Sequence, residues 1–185
     1  MSSIPISPAA VTVTVADGPV AWSAATALVR DFAAWLAEAG GVDLRAAQAG
    51  FAEEVADLRR TYTPPRGRFF LAAHDGVPVG CGGLRVHSDG RGELKRLYVR
   101  PGARGLRAGD ALVTAILDAA SGYGLGAVWL ETGRGLMEPA IALYRRHGFA
   151  VEATRSPTLE DPRLITMVRP LPGAGSGGLT ALSGR

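Results

Sequence analysis

The stretch ELKRLYVRPGARGLRAG, residues 93–109, holds the densest set of residue types that could do chemistry. A strand pattern ends at Val99, Pro101 stops it, and Arg104-Gly105-Leu106-Arg107-Ala108-Gly109 opens a helix. The first turn of a helix has unpaired N–H groups and a partial positive charge, which suits a phosphate. Small residues at 105, 108 and 109 would let such a ligand approach the backbone, and Arg104 and Arg107 would add charge-assisted donors. The loop has no Gly-Lys-Ser/Thr and no full G-x-G-x-x-G, so it is neither a Walker loop nor a complete dinucleotide fingerprint. Taken alone, it also fits a plain strand-to-helix turn.

Other reactive types are more scattered. Glu53, Glu54 and Asp57 could line an entry for a cationic amine, but their spacing is also that of the solvated face of an amphipathic helix. Cys81, the one cysteine, sits in a glycine-rich strand and is expected to be buried and inert; a single thiol excludes an intrachain disulfide framework. His74, His87 and His147 lack metal-like spacing, so no metal site is expected.

The elements that must position these residues can be read from hydrophobic period and turn chemistry. Val11–Val15 alternates as a first strand. Residues 21–39 carry Leu28, Phe32, Trp35, Leu36 and Ala39 at helical spacing, stopped by Gly40-Gly41. A second helix is expected over Leu44–Tyr62, with Phe51, Val55, Leu58 and Tyr62 inward. Phe69–His74, Pro78–Val86 and Glu93–Val99 read as an antiparallel meander. A third helix follows from Gly105 to about Tyr123, then a buried strand at Ala127–Glu131. A fourth helix spans Pro139–His147 with Gly148 as its stop, one more short strand can follow Phe149, and Leu164–Val168 closes the order. The reading is β-α-α-β-β-β-α-β-α-β, an α/β or α+β domain over residues 11–170. Residues 1–10 are expected to be loose, and 171–185 to be a flexible Gly/Ser-rich tail.

Arg104–Gly109, preceded by Val99-x-Pro101, resembles the Arg/Gln-x-x-Gly-x-Gly/Ala signature of the GNAT superfamily of acyl-CoA-dependent N-acetyltransferases. The first and last positions fit; Arg107 stands where the signature has its middle glycine, where it would either crowd a pyrophosphate or supply an extra cation. Ala140-Ile141-Ala142-Leu143-Tyr144 through Gly148-Phe149 resembles the family's A-x-x-L-Y-x-x-x-G-F segment. Tyr62-x-Pro64-Pro65-x-Gly67, Asp75-Gly76-x-Pro78-x-Gly80-Cys81, Glu93–Pro101 and Leu130-Glu131-Thr132 resemble a bacterial subgroup known mostly by family alone. The likeness runs from about residue 11 to 170.

The resemblance implies a single domain with a central mixed, mostly antiparallel sheet of six to seven strands and about four flanking helices. It implies acetyl-CoA as cosubstrate and direct acetyl transfer to a primary amine of a small molecule or protein. The main chain of Leu97, Tyr98 and Val99 would hold the pantetheine arm, and Arg104, Gly105, Leu106, Arg107, Ala108 and Gly109 the pyrophosphate. Tyr144 would be a general acid near the sulfur, since a phenol is protonated at neutral pH and can help a thiolate leave. Glu93 would be the base that takes the amine proton, with Glu131 as the competing carboxylate. Each has a structural alternative: Tyr144 as a core aromatic, Glu93 as a strand glutamate paired with Lys95 or Arg96. Met137 is expected to pack rather than react.

Composition limits the alternatives. The 185 residues are 47% hydrophobic and 20% charged, a globular balance. The net charge of +3 rests almost wholly on arginine, without a basic stripe interleaved with aromatics, so nucleic acid is not an expected partner. No apolar run suggests a membrane span and no basic region precedes the N-terminal apolar stretch, so a cytoplasmic protein is the expectation, and the resemblance implies a monomer or homodimer. The alternative function is a non-catalytic acyl-CoA-binding sensor or partner domain.

Overall fold

The computed structural model describes residues 10–48, 50–152 and 164–172. Its sheet has seven strands: β1 (Thr12–Val15), β2 (Gly67–His74), β3 (Val77–Val86), β4 (Arg91–Val99), β5 (Ala127–Gly133), β6 (Ala150–Val151) and β7 (Leu164–Pro170), in the spatial order β1-β2-β3-β4-β5-β7-β6. All neighbours are antiparallel except β4 and β5. The mixed sheet is the expected one, including the short strand after Phe149. The loose ends expected at 1–10 and 171–185 fall almost entirely outside the described residues. Leu171 does not: its side chain is buried and its N–H donates to the Gly126 carbonyl at 3.0 Å.

The helices are α1 (Gly18–Gly40), α2 (Leu44–Ala47), α3 (Phe51–Ala56), α4 (Leu58–Tyr62), α5 (Ala108–Gly122) and α6 (Glu138–Arg146). Asp17 caps α1 through its side chain, and Gly41, in the left-handed region, closes it. The single helix expected over Leu44–Tyr62 is instead three short ones. Gly50 enters α3 with φ +79° and Asp57 breaks the ladder with φ −148°, so no continuous 3.6-residue stripe survives. The inward set is nevertheless the expected one: Phe51, Val55, Leu58 and Tyr62 are all buried.

Two cores lie on opposite faces of the sheet. One joins Leu28, Val29, Phe51, Leu58 and Tyr62 of α1–α4 to Phe69, Leu71, Cys81 and Tyr98. The other joins Leu112, Val113 and Ile116 of α5, with Ile141 and Tyr144 of α6, to Phe70, Leu84, Leu94, Val128 and Leu130. Glycines in β3 allow both layers to press close. A Cβ on Gly82 would meet Ile116, and one on Gly83 would meet the Tyr62 ring.

Candidate active site

The centre of the sheet is split. β4 and β5 pair only at Arg91–Glu93 with Ala127–Trp129; beyond Glu93 their ladder ends, while β4 continues to Val99 and β5 to Gly133. The β5-facing edge of Leu94–Val99 is therefore free of strand pairing. A bulge lies within that free stretch: Lys95 pairs with Gly83 but Tyr98 with Cys81, so β4 carries one residue more than β3. Arg96 takes up the excess with φ +59°, a left-handed conformation that an arginine adopts at a cost. The bulge puts the Lys95 and Arg96 side chains on the α1–α4 face together.

Arg96 is tied down from several sides. Its Nε and Nη2 donate to the two oxygens of Glu54 at 2.9 and 2.8 Å, and its Nη1 donates to Gln48 Oε1 at 2.7 Å. The guanidinium carbon sits 4.8 Å from the Phe51 ring centroid. The Tyr62 hydroxyl donates to Glu54 Oε1 at 2.7 Å, and the Cys81 thiol donates to the Arg96 carbonyl at 3.4 Å. Burial opposes the Glu54 charge, yet pairing with Arg96 outweighs it and holds the carboxyl below its ordinary range. Glu54 is thus half-buried and turned toward the sheet, not on the solvated face that its sequence position suggested. Cys81 is wholly buried, and burial pushes its thiol far up, as expected of an inert cysteine.

Beyond Val99 the chain makes a 3₁₀ turn at Pro101–Ala103, and α5 begins at Ala108, not at Gly105 as the sequence suggested. Ala111 N–H is the first to reach back, to the Arg107 carbonyl at 3.1 Å, so the N–H groups of Ala108, Gly109 and Asp110 precede the helical ladder. Gly105 has φ +89° and Arg107 φ +62°. Arg107 therefore occupies a backbone conformation suited to glycine, which gives the signature's middle glycine a physical reason. Gly109 also has a packing role. A Cβ there would lie 3.0 Å from Leu143 Cδ2, so its smallness serves the packing of α5 on α6. Arg104 lays its guanidinium 5.0 Å from the Trp35 ring centroid, on the α1 side. Arg100 donates to Asp31 and to the Pro78 carbonyl, tying α1 to the end of β4.

Tyr144 and Glu93 lie on opposite faces of the sheet. Tyr144 is 5% exposed, packs edge-on against Phe149 at 5.9 Å, and its phenol is pushed up by burial, so it is protonated at neutral pH. Among the described residues its hydroxyl has no hydrogen-bond partner. Leu94 and Leu130 face α5, so by alternation Glu93 and Glu131 face the other side. Glu93 is 7% exposed; its Oε1 lies 3.0 Å from Lys95 Nζ and its Oε2 3.0 Å from His87 Nε2, with Arg85 at 3.9 Å. The His87 ring lies 5.6 Å from that of Trp129. Sequence spacing did not single out His87, because only the β3–β4 hairpin brings it to Glu93. Glu131 is exposed, and desolvation followed by the Glu93 charge raises its carboxyl. Met137 packs against the α1 core, as expected. Among the described residues no cluster of His, Cys, Asp or Glu could hold a metal ion, and no helix is long and apolar enough to cross a membrane. Two surface grooves of about 370 and 490 Å³ lie between α1 and α2–α4, and no β4, β5 or α5 residue lines either.

The arrangement offers an unpaired strand edge for an extended ligand, anion-seeking N–H groups beside it, a protonated phenol on one face and two carboxylates on the other. Residues 41–149 match the model of the acetyltransferase (GNAT) family. An IAA acetyltransferase of Azospirillum brasilense is 41% identical over 113 residues, 60% of this chain and 73% of that protein. A mycothiol acetyltransferase of Streptomyces avermitilis is 36% identical over 129 residues, 68% of this chain but only 41% of that longer protein. In fold, the chain resembles the PaiA N-acetyltransferase of Thermoplasma acidophilum, solved in complex with coenzyme A. The TM-score is 0.68 at 17% identity, over 88% of this chain and 99% of that one.

Proposed function

This chain belongs to the GNAT family of acetyltransferases, and from that premise we propose that it moves an acetyl group from acetyl-CoA directly to a primary amine. The observation that carries the reading is the split between β4 and β5: an extended arm can add to the free edge of Leu97–Val99 as a strand would, placing its carbonyl at main-chain donors. The N–H groups at the start of α5, with Gly105 and the Arg107 cation beside them, fit a pyrophosphate. Tyr144, kept protonated by burial, gives its proton to the departing sulfur. On the opposite face Glu93 receives the proton of the incoming ammonium, directly or through water. Glu131, more exposed and with a raised carboxyl, is the competing base.

The acceptor is a small-molecule amine or a protein amino group. The relatives' names, an IAA acetyltransferase and a mycothiol acetyltransferase, suggest compounds to try beside a general amine panel. A second reading, an acyl-CoA-binding module without turnover, draws support from Glu93, whose two oxygens already lie 3.0 Å from Lys95 Nζ and His87 Nε2.

Release of free thiol from acetyl-CoA across an amine panel, beside calorimetric titration with CoA, tests both. Amine-dependent thiol release supports transfer, whereas tight CoA binding with no release on any amine supports the module. Glu93→Gln should then lower the rate most at low pH, with recovery as pH rises; if Glu131→Gln behaves this way instead, the base role passes to Glu131.

A further inference from the structure

We propose that Arg96 is a positioning residue for acyl transfer: its side chain locks the β4 bulge to α3 and to Gln48 just beyond α2, and so holds the main chain of Leu97–Val99 in register for the acyl carbonyl. The inference rests on the proposed use of that strand edge, and it goes beyond it by assigning the setting of its geometry to a side chain that touches neither substrate.

Three observations converge on it. First, the bulge is backbone that arginine does not favour, at φ +59°, so something must hold it there. Second, the holding contacts are all directed and come from one layer: two bonds to Glu54, one to Gln48, and the Phe51 ring beneath the guanidinium. Third, the residue next along the strand, Leu97, lies within the stretch whose β5-facing edge is unpaired, so no second ladder corrects its register. β3 alone holds that stretch by strand pairing, across the irregular Cys81–Gly83 segment. Glu54 is in turn fixed by the Tyr62 hydroxyl, so the clamp is anchored to both α3 and α4. The α3 helix and the strand on which the carbonyl would rest are thus joined through the Arg96 guanidinium.

The proposal gives three variants distinct expectations. Arg96→Lys keeps the charge but loses the two-pronged geometry. Arg96→Gly keeps the left-handed backbone and removes the clamp. Glu54→Gln leaves Arg96 in place with a weakened partner, and serves if either Arg96 variant folds poorly. The readouts are the thioester carbonyl stretch of ¹³C-acetyl-CoA bound to each folded protein, CoA affinity, and kcat on any accepted amine. In the wild type the stretch should move to lower frequency than in free acetyl-CoA. It should move back toward the free value in all three variants, with kcat falling about tenfold or more in Arg96→Gly and less in Arg96→Lys. CoA affinity should stay within about threefold, because the pyrophosphate site is on α5. A wild-type stretch equal to that of free acetyl-CoA would overturn the underlying reading of the strand edge. A shifted wild-type stretch that Arg96→Gly and Glu54→Gln reproduce unchanged would overturn the role of Arg96, leaving it a structural clamp.

Discussion

The Tyr144 ring is already packed against Phe149, so Tyr144→Phe removes one oxygen and little else. The lost donor matters chiefly in the transition state, so turnover should fall by roughly 10²-fold or more while CoA affinity and melting temperature hold. Full turnover in the folded variant would return Tyr144 to the core. Glu54, the partner of the Arg96 clamp, carries a charge that also stabilises the fold. Its carboxyl titrates below the ordinary 4.5, so the stability it contributes is fully present above that pH and is lost as pH falls toward the lower folded value. Glu54→Gln should lower the melting temperature at neutral pH, and the gap from wild type should narrow on acidification through 4.5. The buried pair makes the neutral-pH loss large, on the order of 3 kcal/mol by denaturant titration. A gap that stays constant with pH would mean that the charge is not what Glu54 contributes.

At the scale of elements, the entry to α5 shows most clearly what a sequence reveals and hides. The strand-to-helix loop was legible because proline, glycine and small residues punctuate it. That Arg107 itself sits at φ +62° was not, since arginine carries no turn signal. Replacing it with glycine should relieve about 1 kcal/mol of backbone strain, seen as a raised midpoint in urea, while CoA binding weakens through the lost cation. An unchanged midpoint would mean that the loop relaxes around Arg107 at no cost. The same blindness explains the helix that became three. Residues 44–62 have one apolar stripe, and the stripe names the buried positions correctly. Gly50 and Asp57 interrupt the winding between them, which lets Glu54 turn toward Arg96 rather than to water. A register bulge and a broken helix are both matters of phase, and local residue type encodes phase poorly.

Taken whole, the molecule divides its proposed work between two faces of one sheet, with Tyr144 and the start of α5 on one and Glu93, Glu131 and the Arg96 clamp on the other. The order of strands and the spaced motifs made this family legible along most of the chain. Which carboxylate meets which cation was legible only in part: the Glu93–Lys95 pair was in view, whereas Glu93–His87 waits on the β3–β4 hairpin and Arg96–Glu54 on segments distant in the chain. If the donor adds to the free edge of β4 it binds the folded chain alone, and saturation at about 100 times its dissociation constant should stabilise the protein by about 2.7 kcal/mol, visible as a rise in melting temperature. No rise at saturating acetyl-CoA would mean that the folded chain does not bind it. The burial of Cys81 has a practical sequel for every such measurement. As the chain's one cysteine, wholly enclosed and with its thiol pushed far from ionising, it is silent toward a disulfide dye while the fold is closed. Colour that develops quickly with the dye then counts liberated coenzyme and nothing of the protein, and colour that creeps in afterwards, to one equivalent per chain, times the opening of the sheet from within.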